Sequence, residues 1–500
     1  MPLHQSARLV LALSVMLSTT TWTACNQATN SGASAGASDS GKIPITTKSD
    51  EARNEFLQGR SLSERLLGQE SLAHFDKAIA LDPDFALAEL GRANNSPTAK
   101  EFFEHLKKAV SLADKASEGE KTLILANEAG ANGDTAKQRD YLEKLVATYP
   151  NDERVQFALA GFHFGQQDMD QAVEHYKKAT TVAPNYSPAY NVLGYAYRQQ
   201  GNYADAEQAF KRYIDLIPND PNPYDSYAEL LLKMGRFDDS LVQYRKALSI
   251  DPHFVPSHFG ISANLMYQGK PDEATAELQK MADQARNDGE LRTAFFGMAV
   301  VATDRGKLDQ ALQAMDKEFA VAEKKNDAAA MAADLQAKGN ILAEMQRYSD
   351  ARKQFDRSLQ LIEGSNLSQE IKDNAKLVHQ SNLTALAIGE KKYADAATLA
   401  EEFRLGAQAS RNGVQVKLSH ELAGRIALGE KDYDKAIAEL GQANLQNPRN
   451  LYRLSQAYQG KGDSAKAQEF CTKAADFNSL PTLNYAFVRA KAQKQAGKKA

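Results

Sequence analysis

The nine histidines and two cysteines of this 500-residue chain are the side chains best suited to hold a metal or attack a substrate, and their spacing favours neither chemistry. No H-E-x-x-H, no C-x-x-C, no G-x-x-x-x-G-K-[ST] phosphate loop and no G-x-G-x-x-G occurs. His163 and His175 flank one helix hairpin and could share an ion, but no cysteine lies near them to complete a ligand set. The stretch GKGDSAK from Gly460 has the flavour of a phosphate loop without its spacing, and falls in a turn between helices. Asp238 and Asp239 sit at a helix start, where carboxylates favour the dipole. A nucleophile, a base and an oxyanion donor cannot be assembled from neighbours. The expectation is no catalytic residue, no metal and no cofactor, hence no enzyme.

The elements that would position any site come next. A composition of 43% hydrophobic and 25% charged residues describes a chain that folds. A net charge of −4 gives no dominant basic field, so nucleic acid is not an expected partner. One register runs through the middle of the chain. Tyr190, Leu193, Gly194, Tyr197, Gly201, Tyr203, Ala206, Phe210 and Pro218 recur 34 residues later from Tyr224 to Pro252, and more loosely from Gln156 and from His258. Each unit reads as two amphipathic helices: Leu193 and Tyr197 share a face, Gly194 and Ala206 sit where the helices approach, Gly201 ends the first helix, and Asn202 caps the second. Phe210 covers the seam and Pro218 stops the pair.

This pattern resembles the tetratricopeptide repeat, W-x₂-L-G-x₂-Y followed by A-x₃-F and P. The resemblance implies an all-α fold, a right-handed α-α superhelical solenoid of about 10 to 12 helix pairs. It also implies that the first helices line a concave groove gripping an extended peptide or another protein's helix. Carried over residue by residue, the groove positions are Phe157, Phe164, Asn191, Tyr195, Arg198, Asp225, Glu229, Lys233, Phe259, Met266 and Tyr267. Apolar pockets would flank a polar centre in which Asn191 suits a peptide backbone. The repeated Lys and Asn set that clamps a C-terminal carboxylate in chaperone-binding members is missing.

The N-terminus is of another kind. Arg8, the apolar run LVLALSVML and Ala24–Cys25 resemble a bacterial lipoprotein signal, although Trp22 stands where Leu is preferred. That resemblance implies cleavage before Cys25, acylation of Cys25, and, since Asn26 is not the retaining Asp, an outer-membrane anchor facing the periplasm. Cys471 falls on a helical core position and reads as a small buried hydrophobe.

The expected organisation is a signal peptide over 1–24, a flexible tether over 25–49, irregular repeat-like helices over 50–151, a regular block over 152–289, divergent pairs over 290–480 and a frayed basic tail over 481–500. The function expected is a membrane-tethered scaffold that binds protein or peptide partners, with self-association through its ends also possible. The alternatives are a regulatory peptide-sensing subunit, or a carbohydrate- or peptide-processing enzyme with a site assembled across the solenoid. A scaffold predicts an extended surface without a deep pocket, an enzyme a compact titratable cluster.

Overall fold

The computed structural model describes residues 41–410 and 412–498; Cys25 and the expected signal peptide lie outside them. The protein is all-α, 79% helical and without strands among the described residues, and its helices pair in antiparallel succession as a solenoid.

The unit at the centre of the regular block shows why. Helix Ser187–Gln200 ends at Gly201, whose φ of 79° is the left-handed conformation that closes a helix without a Cβ penalty. The Asn202 side chain then accepts from the Asp205 amide and starts helix Tyr203–Leu216. A Cβ at Gly194 would lie 2.7 Å from the Phe210 ring, so the glycine is what lets the buried ring lie across the seam. Burial of such an aromatic stabilises each unit by roughly 2–3 kcal/mol.

One contact repeats that the pattern alone does not show. Gln156, Tyr190, Tyr224 and His258, spaced 34 apart, each meet the carbonyl of the proline six residues earlier: Pro150, Pro184, Pro218 and Pro252. Asn450 repeats it on the carbonyl of Asn444 in the last unit. The proline thus ends one pair while its oxygen pins the next, which fixes the angle between units.

The register is lost after residue 290 because the helices lengthen. The first helices of the regular block have 13 or 14 residues, whereas Asp288–Asp304 and Ala328–Glu344 have 17, Gln369–Gly389 has 21 and Gly413–Glu430 has 18.

Successive units rotate until the array meets itself. Asn287 donates to Gln69, the Lys100 amide to Asp327, Ser368 to Asn132, the Gly413 amide to Gln166 and Gln446 to the Gln199 carbonyl. These partners lie 218 to 247 residues apart, or about seven 34-residue units. The second superhelical turn therefore sits on the first, and the open groove expected from sequence is closed into a lumen.

Both ends of the chain depart from expectation. The span 25–49 is not free throughout: the Ile43 amide donates to Asp152, Thr46 to Glu120 and Thr47 to Asp82, carboxylates buried at the helix ends of early units. Nor is 481–500 a frayed tail. Leu483, Tyr485, Phe487 and Val488 are buried in one cluster with Val300, Met315 and Ile341, and helix Arg489–Gln495 packs Ala492 over Cys471. The closing residues are basic, but the apolar set just before them supplies the anchor. Cys471 is buried, its thiol donates to the Ala492 carbonyl, and burial pushes its pKa up, as befits a core residue.

Candidate functional site

The lumen holds two chambers. The smaller, about 340 Å³, is lined by Tyr195, Asn222, Asp225, Glu229, Phe254, Phe259 and Phe296 on one side and by Leu480–Asn484 on the other. The larger, about 900 Å³, is lined by early units from Asn94 to Val192 and late units from Gln336 to Arg453. Leu66, Asn191 and Asn484 border both and mark the boundary between them. Leu66 has a φ of 62°, a strained conformation for a branched side chain. It closes the C-terminus of helix Asp50–Glu64, where the Leu67 amide donates back to the Leu62 carbonyl, and the neighbouring Arg65 makes a bidentate ion pair with Asp220, 2.6 Å from Nε.

The chambers differ in charge. Seven carboxylates line the smaller one against Arg292 and Lys325. Of these, Glu229 accepts from Tyr195 at 2.9 Å and from Arg198 at 3.1 Å. Asp225, one helical turn earlier, is buried and accepts from Ser257 at 2.7 Å. Burial and then the charge of Glu229 push its pKa well above the usual carboxylate range. In the larger chamber, thirteen Asn and Gln side chains accompany three glutamates and three arginines.

The groove residues expected from sequence are sorted by this closure. Phe157 lines the larger chamber; Tyr195, Asp225, Glu229 and Phe259 line the smaller; Asn191 lies between. Asn191 donates to Asn222 at 3.1 Å, while its Oδ1 has no hydrogen-bond partner. Phe164 packs beside the core, and Arg198 spends its charge on Glu229, so neither lines a chamber. Met266 is a correction: at 2% exposure it fills the core with Tyr244, Leu265 and Leu278, because its position on the helix faces the second helices. Lys233 and Tyr267 are corrections of another sort. Lys233 donates to the Phe477 carbonyl and lies 3.7 Å from the centre of that ring, and Tyr267 donates to the Ser479 carbonyl beneath Tyr485 and Arg489. The chain's own C-terminal segment has taken their place in the groove. Burial, then the charge of Arg198, pulls the Lys233 amine down to about 7.

The histidine pair of the first units has a structural explanation. His175 meets Gln156 at 2.8 Å and stacks on His163 at 5.8 Å, and among the described residues no group of three or more His, Cys, Asp or Glu is placed to hold a metal.

Residues 153–219 match one family model described as tetratricopeptide repeat, and residues 222–254 and 448–479 match a second with the same description. These segments are tetratricopeptide repeats. The first two form the wall that carries Asn191, Tyr195 and Asp225, and the last carries Arg449 and Arg453. The chain is 26% identical over 163 residues to the human protein named protein O-mannosyl-transferase TMTC3, covering 32% of this chain and 18% of that one. It is 26% identical over 127 residues to TPR repeat-containing protein MJ1428 of Methanocaldococcus jannaschii, covering 24% of this chain and 22% of that one. The match thus spans about a fifth of the length of these relatives. Among solved structures, yeast Tom70 is similar at 15% identity with a TM-score of 0.46, over 74% of this chain and 88% of that one.

Sequence reasoning missed Arg425, Arg449, Arg453 and Glu421. With Leu454 set over Leu193, Arg449 and Arg453 fall on Pro188 and Val192, which also line the larger chamber. That register was visible in the last repeat. What was not visible is that the face exposed at Pro188 and Val192 turns toward a lumen.

Proposed function

We propose that this protein is a scaffold that takes an extended segment of a partner protein into its lumen, and that an acylated Cys25 holds it at the bacterial envelope on the periplasmic side of the outer membrane. The observation that carries the proposal is the larger chamber, whose amide lining offers donors and acceptors in the mixture a peptide backbone needs. Tetratricopeptide scaffolds as a class bind protein or peptide partners, which agrees with this reading. Away from the C-terminal segment, where Tyr267 packs on Tyr485, the turn-to-turn contacts named above are polar bonds and not apolar seams, so the lumen can open along them to admit a chain. No helix among the described residues is long and apolar enough to cross a membrane.

A photo-crosslinking residue placed at Asn382, in the larger chamber, is expected to capture a partner in the native cells, and one at exposed Val242 is not. Capture from Val242 alone would refute lumen binding. Cys25→Ala is expected to move the protein from the membrane to the soluble fraction; unchanged partition would refute the anchor.

One observation favours the enzyme alternative. Asp225 and Glu229 sit one helical turn apart on the smaller chamber, and burial, then the charge of Glu229, raises the pKa of Asp225, which sets a carboxyl group inclined to hold its proton beside a second carboxyl group. Asp225→Asn with partner capture intact but a product lost would favour it; the scaffold reading expects no product in either form.

A further inference from the structure

The late-unit wall of the larger chamber carries more positive than negative charge. Helix Gly413–Glu430 contributes Glu421 and Arg425, and helix Pro448–Lys461 contributes Arg449 and Arg453. Arg453 donates to Glu421 at 2.7 Å and to the Asn450 side chain at 2.7 Å. Asn450 and Asn447 donate to the other oxygen of Glu421, at 2.9 and 3.3 Å, so that carboxylate is fully subscribed. Glu344 is shared between Lys491 and Arg449, the latter at 3.4 Å. Arg425 remains. Its nearest carboxylate oxygen is that of Glu421 at 3.9 Å, beyond hydrogen-bonding reach, and its guanidinium borders the chamber. Three arginines of this wall therefore face two carboxylates, one of which, Glu344, is also drawn on by exposed Lys491.

Such an excess is costly in a desolvated wall unless an anion completes it. The charges that reach Arg425 and Arg449 are those of Arg453, Glu421 and Glu344, and of Arg449 itself on Arg425. Burial, then the charge of Arg453, lowers Arg425 to about 9 and Arg449 to about 10, the response of guanidinium groups short of counter-charge. A planar fork matches a carboxylate with two parallel bonds. Asn382, on another helix of the same chamber, extends the polar lining beyond the arginines, so a bound chain can run past them.

We infer that Arg425, with Arg449 and Arg453 around it, is the binding site for an acidic side chain of an extended peptide held in the larger chamber. The inference rests on the peptide-scaffold reading and adds a charge preference to it. The chamber then binds a Glu- or Asp-containing segment in preference to its amide isostere, and binding weakens with salt because the contact is an ion pair.

The test is calorimetry on the purified full chain with hexaglutamate, hexaglutamine, glutarate and inorganic phosphate. Wild type is expected to bind hexaglutamate at least tenfold more tightly than hexaglutamine or glutarate. Arg425→Gln is expected to lose at least tenfold in hexaglutamate affinity while keeping its thermal midpoint, since Arg425 makes no hydrogen bond within the fold, and Arg425→Lys is expected to recover part of the loss. Equal hexaglutamate binding by wild type and Arg425→Gln, or no binding by wild type, overturns the inference. Hexaglutamine bound as tightly as hexaglutamate overturns the charge preference and leaves the scaffold reading standing. Glutarate or phosphate bound as tightly as hexaglutamate overturns the peptide assignment in favour of a free anion. Loss of crosslinking from Asn382 would instead remove the scaffold reading.

Discussion

The two chambers are built from the same repeat, yet one is acidic and apolar and the other is rich in amides and arginine. The smaller takes Tyr195, Phe254, Phe259, Asp225 and Glu229 from the regular units, with residues 66–99, 290–337 and 480–484 completing it, and Asp225 and Glu229 are held by Ser257, Tyr195 and Arg198. The larger faces early units across to late units whose first helices are longer, so its two walls come from distant parts of the chain. The comparison teaches that repeat identity fixes the packing within a unit, while the chemistry of the lumen depends on which unit is carried opposite. A segment lying along both chambers would meet positive charge at one end and negative charge at the other.

The largest expected effect breaks the arginine wall. Glu421→Ala leaves Arg453 in a desolvated wall without its hydrogen-bonded carboxylate, and is expected to destabilise the late units by about 3–5 kcal/mol, read as lost amide-exchange protection over 413–461. The same carboxylate gives an acid limit. Burial pushes Glu421 up, but the charges of Arg453 and Arg425 outweigh this and hold it at about 2. Its contribution is fully present above the unfolded pKa near 4.5 and is lost as pH falls through 2. Glu421→Gln is expected to flatten that part of the stability profile.

A somewhat smaller effect breaks the boundary. Tyr485 is buried, donates to the Ala475 carbonyl at 2.7 Å and packs against Tyr267 and Phe477. Tyr485→Ala is expected to cost about 3 kcal/mol and to expose 477–490 to limited proteolysis, with Lys233 and Tyr267 uncovered. Proteolysis confined to other sites would show that the segment is held by Arg489, bidentate on Asp304, instead.

The smallest effect sharpens the contrast from the acidic side. Lys233 is held at about 7, below its ordinary value of 10.5, so between those limits the unfolded chain carries a proton the folded chain has released. Its contribution to stability therefore rises with pH from about 7 to 10.5 and is at its least favourable below 7. Relative to Lys233→Met, wild type is expected to gain roughly 1 kcal/mol between pH 7 and 8, measured as a shift in urea midpoint. A constant difference would place the amine outside the desolvated site.

Much of the unit was legible. Gly201, Asn202, Gly194 and Phe210 stand in the roles their types and spacing imply, because helix ends and seams depend on residues within a few turns of one another. The site was half legible. Tyr195, Asp225 and Phe259 reached a chamber, but Met266 went to the core and Lys233 and Tyr267 were covered, since a groove carried over by register takes no account of the chain's own end returning to it. Arg425 went unread because its 18-residue helix lies outside the register, and Arg449 and Arg453 because a register that was visible does not say which face turns toward a lumen.

The sequence by itself determined the helix pairs, their caps, their seams and the solenoid that follows from stacking them, all consequences of contacts between residues at most one unit apart. Only the tertiary structure decided that the groove closes into a lumen, which walls face each other, and where residues 42–49 and 477–497 dock. The reason is additive: each unit turns by a small angle set by side-chain size and a proline carbonyl, and after about seven units the sum brings Gln166 to Gly413, an alignment that no local pattern encodes.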